Sequence, residues 1–143
     1  MTQHNLRTEI IALCDYANIS QEGKVNINGV FDELKVQQFP GGIARAYFVA
    51  SITGSPTTSY KLTLKVEPAS GFVSQQSEFP LNALTGSNGK YNFVIELAGL
   101  GFKEKGDYRF ILSQGEKEIG STTLKVFHVS DAEVNHKTAR VIN

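Results

Sequence analysis

The stretch Gly101-Phe102-Lys103-Glu104-Lys105-Gly106-Asp107-Tyr108-Arg109-Phe110 decides the fold of this chain. Its first half is a charged segment that ends at Gly106, and its second half alternates polar and aromatic residues. An alternation with a period of two is typical of a β-strand that has one buried face and one solvated face. The stretch therefore predicts a polar corner leading into a strand, with Tyr108 and Phe110 on the buried face.

The same period of two extends to both sides of this corner. Residues 60–67 alternate strictly between apolar and polar, and residues 91–97 do so with Val94 as the exception. Both segments are rich in β-branched and aromatic residues, which suit a pleated, half-buried surface. No segment carries the i, i+3, i+4, i+7 apolar spacing of an amphipathic helix. The sequence predicts an all-β protein.

Short polar and glycine-containing segments separate these strands, as turns do between antiparallel neighbours. The predicted turns are Ser20–Lys24, Phe39–Gly42, Gly54–Pro56, Thr85–Gly89 and Gln114–Lys117. The least regular segment, residues 70–84, is predicted to hold one short edge strand around Gln75–Phe79. Together these segments predict a sandwich or a barrel, and of the two we expect a sandwich of seven to eight mostly antiparallel strands.

Two early strands depart from simple alternation. Ile10–Cys14 is apolar at every position, which predicts a strand covered on both faces. Between Val25 and Val36 the apolar residues change phase near Gly29. A β-bulge at Gly29 would produce such a change. The alternative is a strand that is buried on both faces over this stretch.

The corner resembles the one that precedes the penultimate strand of immunoglobulin-like sandwiches. There, a tyrosine hydroxyl bonds to upstream backbone, and the arrangement Gly-x-Tyr-x-Phe at residues 106–110 has the same form. The chain has one cysteine and no tryptophan, so the disulfide and core tryptophan of antibody domains are missing. The resemblance implies an immunoglobulin-like β-sandwich in architecture only.

A narrower resemblance covers about residues 10 to 127. It is carried by Leu13–Ala17, by the segment Gly23–Asp32 with its Gly-Val-Phe run, by Phe39-Pro40, and by the tyrosine corner. These elements resemble a family of small uncharacterised bacterial proteins. Since no activity is known for that family, the resemblance implies a fold and assigns no functional residues.

Composition limits the function classes. The 143 residues predict one sandwich domain over residues 1–130 and a polar tail over residues 131–143. Fourteen basic residues balance fourteen acidic ones, whereas nucleic-acid binders carry a basic excess. The longest apolar run, Ile10–Cys14, is too short to cross a membrane. With no secretory signal pattern, we expect a cytoplasmic protein that binds neither nucleic acid nor membrane.

Candidate catalytic groups are few. Cys14 is interpreted as a small core residue, since no histidine is fixed near it by the sequence. The histidines His4, His128 and His136 lack the spacing of metal ligands. The carboxylates are scattered and fit solvated turns, although three of them could meet if their strand ends lie together: Asp15, Asp32 and Asp107. We therefore expect no enzyme, no metal and no cofactor.

Three aromatic residues fall outside clean inward positions: Tyr16, Phe72 and Phe102. They are candidates for an exposed apolar patch that contacts a partner; the alternative is that they cap the ends of the core. The leading hypothesis is a non-catalytic interaction module that binds another protein or a second copy of itself through an edge strand. The alternatives are a structural component of a phage or secretion particle, and a ligand-binding or enzymatic sandwich with a site at one end.

Overall fold

A computed structural model describes residues 6–68 and 77–131, and within these ranges the chain is all-β. A short 3-10 helix, Val129–Asp131, follows the last strand. The nine described strands are β1 (Arg7–Ile19), β2 (Val25–Val30), β3 (Glu33–Val36), β4 (Gly41–Thr53), β5 (Ser59–Pro68), β6 (Ser77–Leu84), β7 (Lys90–Phe102), β8 (Gly106–Gln114) and β9 (Lys117–His128). The predicted fold class is confirmed, with one or two strands more than expected.

The strands form two sheets, in the orders β2-β1-β4-β7 and β3-β9-β8-β5-β6. The neighbours β1-β4-β7 and β9-β8-β5 match the A-B-E and G-F-C strands of an immunoglobulin-like sandwich. Strand β3 runs parallel to β9, and the other described pairings are antiparallel. The chain is an immunoglobulin-like β-sandwich.

The main core lies between the sheets and is built by the alternating residues that the sequence predicts to face inward. Leu62 and Leu64 of β5 are buried, as are Phe110 and Leu112 of β8. Strand β4 adds Phe48 from the opposite sheet. Burying side chains of this size stabilises the fold by about 1.5–3 kcal/mol each, which explains why every central strand contributes to the core.

The tyrosine corner forms as predicted. The Tyr108 hydroxyl donates a hydrogen bond of 2.6 Å to the Glu104 carbonyl. The ring is buried and lies 4.6 Å from the ring of Phe102, centroid to centroid. Burial raises the pKa of the Tyr108 hydroxyl above its usual value, so the group stays a neutral donor.

The predicted bulge at Gly29 is wrong, and so is the alternative of one strand buried on both faces. Strand β2 pairs with β1 without a shift in register, and Val30 is 66% exposed. The phase changes because the chain leaves one sheet after Val30 and enters the other at Glu33. Residues 25–36 therefore form two strands, in two different sheets.

The hairpin between β8 and β9 and the edge strand β6 were also predicted. The tight turn after β8 has two residues, and its first, Gly115, has a φ of 59°, as a type II′ turn requires. The edge strand expected around Gln75–Phe79 is β6, which runs further, to Leu84. Residues 69–76 lie outside the described part of the chain.

Candidate functional site

The three predicted contact residues have different positions. Tyr16 is 49% exposed and packs edge-on against Tyr47, with ring centroids 5.3 Å apart. Phe102 is 3% exposed and belongs to the main core, so the expected exposure is wrong and the alternative, a residue capping the core, fits it. Phe72 lies outside the described residues. The three do not form a patch that the structure shows.

Strand β1 is covered on both faces at Leu13 and Cys14, as predicted, but the prediction is wrong for Ile10, which is 42% exposed. Leu13 belongs to the main core, and Cys14 belongs to a second cluster with Ala17 and Val49. Cys14 and Ala17 would point to opposite faces of a straight strand because they are three residues apart. They share one cluster, so β1 bends between them.

The bend carries the β1–β2 hairpin over the outer face of the four-stranded sheet. Val25 and Ile27 of β2 pack against the second cluster, although β1 separates β2 from β4 in the sheet. The hairpin tip, at Lys24, lines a cavity of about 350 Å³ together with Ser51 of β4 and Asn92 of β7. The bend falls opposite Gly29, whose φ is 71°.

Cys14 is fully buried under this hairpin. Its Sγ lies 3.5 Å from the Tyr16 carbonyl oxygen and 3.7 Å from the Tyr47 carbonyl oxygen. Burial raises the pKa of the thiol above its usual value, and the neighbouring Asp15 carboxylate adds to the rise. A nucleophilic cysteine needs the opposite environment, one that favours the thiolate. The surroundings of Cys14 are those of a small core residue.

The polar candidates do not converge in the described part of the chain. Among the residues described, no group of three or more His, Cys, Asp or Glu side chains could hold a metal ion. Asp15, Asp32 and Asp107 therefore do not meet in such a group. His128 ends β9 as predicted, and its Nδ1 lies 2.6 Å from the Ser130 hydroxyl.

Strand β7 presents the longest free sheet edge. It is 13 residues long and pairs along one side with β4, while its other side has no neighbouring strand in the described sheet. The Gly54 N–H donates to the Gly89 carbonyl at 2.7 Å, which continues the β4–β7 register. Hydrogen-bonded and non-hydrogen-bonded pairs alternate in an antiparallel ladder. The backbone groups that point outward therefore belong to Asn92, Val94, Glu96 and Ala98.

A groove adjoins this edge. It has a volume of about 550 Å³, within the range of ligand-binding clefts, and lies between the second half of β7 and strand β6. Its lining includes Phe79 of β6, the inward-facing Ile95 and Leu97 of β7, and Pro40. Apolar side chains of an added strand would enter it.

The other described edges are protected. Strand β6 contains Pro80, which lacks a backbone donor. Strand β3 has four residues, and β2 belongs to the bent hairpin. Short strands, prolines and bends are the devices by which proteins block edge pairing. Strand β7 has no proline and carries two charged side chains, Lys90 and Glu96.

The sequence matches one family over the region that carries the tyrosine corner and the hairpin. The matching model covers residues 9–127 and describes a family of unknown function, DUF6941. The chain belongs to this family. The resemblance to uncharacterised proteins over about residues 10–127 is thereby confirmed, and a bacterial origin stays a prediction. No curated protein matches the sequence.

Solved structures share the fold at low sequence identity. The chain is similar to part of a GH3 β-glucosidase from Bifidobacterium adolescentis, with a TM-score of 0.52, 8% identity and 86% of this chain covered. For a mutant β-glucosidase from Listeria innocua in complex with laminaribiose, the TM-score is 0.50, the identity is 9%, and 86% of this chain is covered. The chain spans only 17% and 16% of the length of these enzymes. The likeness shows the sandwich fold alone.

A third similar structure is an immunoglobulin-like protein from Pseudomonas aeruginosa. The TM-score is 0.44 and the identity 16%, and the match covers 89% of this chain and all of that one.

Within the described residues, no helix is long and apolar enough to cross a membrane.

The sequence interpretation missed the β7 edge as a specific surface. Alternation identifies a strand but does not show which side of it lacks a neighbour, because pairing depends on the order of strands in the sheet. One signal was present. Val94 breaks the alternation of its strand, and it lies on the outer face at the middle of the free edge, packed against the second cluster.

Proposed function

We propose that this protein is a non-catalytic interaction module that binds an extended polypeptide segment along β7. The observation that carries the proposal is the combination of a long edge that no other described strand pairs with and a mostly apolar groove beside it. Strand addition to an exposed edge is a general mode of peptide recognition, in which backbone hydrogen bonds supply affinity and pockets for alternate side chains supply specificity.

The two faces of the edge define the side chains that a partner strand would present. Residues opposite Ile95 and Leu97 would face the sandwich interior and the groove, so they should be apolar. Residues opposite Glu96 would lie on the outer face, where the carboxylate already pairs with Arg45 at 2.9 Å. A polar or basic residue fits there, whereas an acidic one would be repelled.

The fold itself does not decide between this role and that of a structural component in a larger assembly. Both roles would use an open edge. A particle component would form large oligomers through it, whereas an interaction module would form complexes of defined size. The cytoplasmic location expected from the sequence, and the domain boundary at residue 130, stay predictions.

The proposal is tested by selecting peptides from a random library on the purified protein. Val94→Pro removes an outward N–H without removing a bond to β4, because proline is tolerated at such edge positions. Val94→Thr keeps the N–H and the β-branched shape, and is the matched control. We expect selected peptides to alternate apolar and polar residues, and to bind Val94→Pro at least tenfold more weakly than Val94→Thr.

A thermal melt of each variant establishes that it folds. If Val94→Pro does not fold, Val94→Lys tests the same edge by placing a charge on it. Selected peptides that bind all variants equally would contradict strand addition at β7. A selection that enriches no peptide on protein dilute enough to be monomeric would also contradict it.

A further inference from the structure

The alternation of apolar and polar residues that the β7 edge requires of a partner strand is also present in β7 itself. We propose that β7 pairs antiparallel with β7 of a second copy, about a two-fold axis at Val94, to form a continuous eight-stranded sheet across a dimer. This inference rests on the proposed function, since it names the occupant of the same edge. A two-fold axis requires the surface to be self-complementary, and the β7 edge meets that requirement in this register.

The backbone groups match first. With Val94 on the axis, the outward-pointing Val94 of each copy forms a hydrogen-bonded pair with the other. Asn92 of each copy then pairs with Glu96 of the second copy, and both residues also point outward. Each outward donor therefore meets an outward acceptor along residues 92–96.

The inward-facing side chains match next. Phe93 lies opposite Ile95 of the second copy, and Tyr91 lies opposite Leu97. Phe93 and Leu97 are buried in each copy, and Tyr91 and Ile95 pack against the same core. Aromatic–aliphatic pairs across neighbouring strands are favourable. The two cores would become continuous across the axis.

Charge complementarity favours the Val94 axis over an axis at Ile95 or at Glu96. Glu96 of the second copy would arrive beside Asn92, which lines a cavity together with two lysines, Lys24 and Lys90, and one carboxylate, Glu9. The arriving carboxylate would thus approach a site where lysines outnumber carboxylates. An axis at Glu96 would instead place the two Glu96 carboxylates opposite each other, which is destabilising. An axis at Ile95 would place Glu96 opposite the apolar Val94.

Exposed apolar side chains of β6 lie on the same side of the sandwich. The turn 85–89 connects β6 directly to β7, and each is the last strand of its sheet. Phe79 is 37% exposed and Leu84 is 60% exposed. Pairing of β7 across the axis brings the two β6 strands toward each other and reduces the exposure of these side chains.

Cysteine cross-linking tests both the pairing and its register. Hydrogen-bonded antiparallel partners have Cα atoms about 5.5 Å apart, within the range that a disulfide spans. Val94→Cys should therefore form a covalent dimer under mild oxidation. Asn92→Cys alone should not form a covalent dimer. In this register the cysteine at position 92 of the second copy lies four residues further along the strand, roughly 14 Å away. A mixture of Asn92→Cys and Glu96→Cys should cross-link. The cysteine variants are made in a Cys14→Ala background, because Val94 packs against the cluster that contains Cys14.

Light scattering of the wild-type protein over a range of concentrations accompanies this test. We expect a dimer mass that Val94→Lys converts to a monomer mass. A cross-linked Ile95→Cys together with an unreactive Val94→Cys would overturn the register. A wild-type monomer at every concentration would overturn the dimer, while peptide binding that is sensitive to Val94→Pro would leave the proposed function standing.

Discussion

The two edges of the four-stranded sheet are treated in opposite ways. At one edge, the β1–β2 hairpin bends at Gly29 and folds over the outer face, where it covers Cys14 and Val49. At the other edge, β7 extends for 13 residues, and one of its sides pairs with no other strand in residues 6–68 and 77–131. The same sheet thus has one edge that is closed by its own chain and one that is open.

The difference lies in local sequence. The closed edge has a glycine with a left-handed backbone at the bend and small residues, Cys14 and Ala17, where the hairpin approaches the sheet. The open edge has β-branched and aromatic residues without proline from Lys90 to Leu97. Natural sheets usually protect such an edge, so an edge left open is a candidate for use.

The largest expected effect comes from closing the space at the bend. Gly29 and Gly99 both have left-handed backbones, with φ of 71° and 65°. A Cβ at Gly29 would lie 2.4 Å from the Asp15 carboxylate, whereas a Cβ at Gly99 meets nothing within 4 Å. The exposed Asp15 carboxylate can turn away from a new Cβ, but the Asp15 Cβ, at 3.1 Å, cannot. We therefore expect Gly99→Ala to lower the free energy of unfolding by about 1 kcal/mol and Gly29→Ala by about 1–2 kcal/mol.

Urea denaturation of the two alanine variants measures this difference. Equal losses of stability would show that the hairpin bend does not depend on the close approach of Asp15 to Gly29.

The next effect is on the rate at which a reagent labels the Cys14 thiol, which is buried at the closed edge. The protonation state of this thiol sets the pH range of the experiment. Because burial raises the pKa of this thiol above 9.0 in the folded state, the thiol stays neutral where the unfolded chain ionises. Its contribution to stability is therefore present below about pH 9 and is lost as the pH rises through the folded-state pKa.

A thiol reagent should consequently label Cys14 slowly in wild type and faster in Gly29→Ala, at any pH between 7 and about 9. The labelling rate, followed by absorbance, measures how often the hairpin opens. Wild-type labelling as fast as that of a free cysteine would mean that the hairpin does not protect the second cluster.

The smallest effect concerns a surface ion pair beside the open edge. Arg45 Nε lies 2.9 Å from Glu96 Oε1, and the two side chains are 66% and 46% exposed. Because exposed ion pairs contribute little to stability, Glu96→Gln should change the free energy of unfolding by about 0.5 kcal/mol or less. Thermal melts in low salt and in 1 M salt measure this change, and a much larger loss would show that the pair organises β7.

Much of the fold could be predicted because alternation and turn residues are local signals. Tyr108 and the two-residue turn at Gly115 appear in the structure as the sequence indicates. The same reasoning failed at Gly29, where a phase change has two origins, a bulge or a change of sheet. Local sequence does not distinguish them, because the difference lies in which distant strand accepts the next residues.

The candidate site was harder to predict for the same reason. Phe102 has no clean inward phase, yet it is buried because Tyr108 packs against it at the corner. The open edge of β7 follows from the order of strands in the sheet, which no single segment specifies. Val94 was the one visible irregularity between Tyr91 and Leu97.

Amide hydrogen exchange along β7 tests most directly whether the open edge pairs with its own copy. In dilute protein shown to be monomeric, the outward amides should exchange quickly while the inward amides are protected. At concentrations where the dimer forms, the outward amides become protected as well. The outward set is Asn92, Val94 and Glu96, and the inward set is Tyr91, Phe93, Ile95 and Leu97. Outward amides that are already protected in the monomer, or that exchange quickly in the dimer, would contradict this pairing.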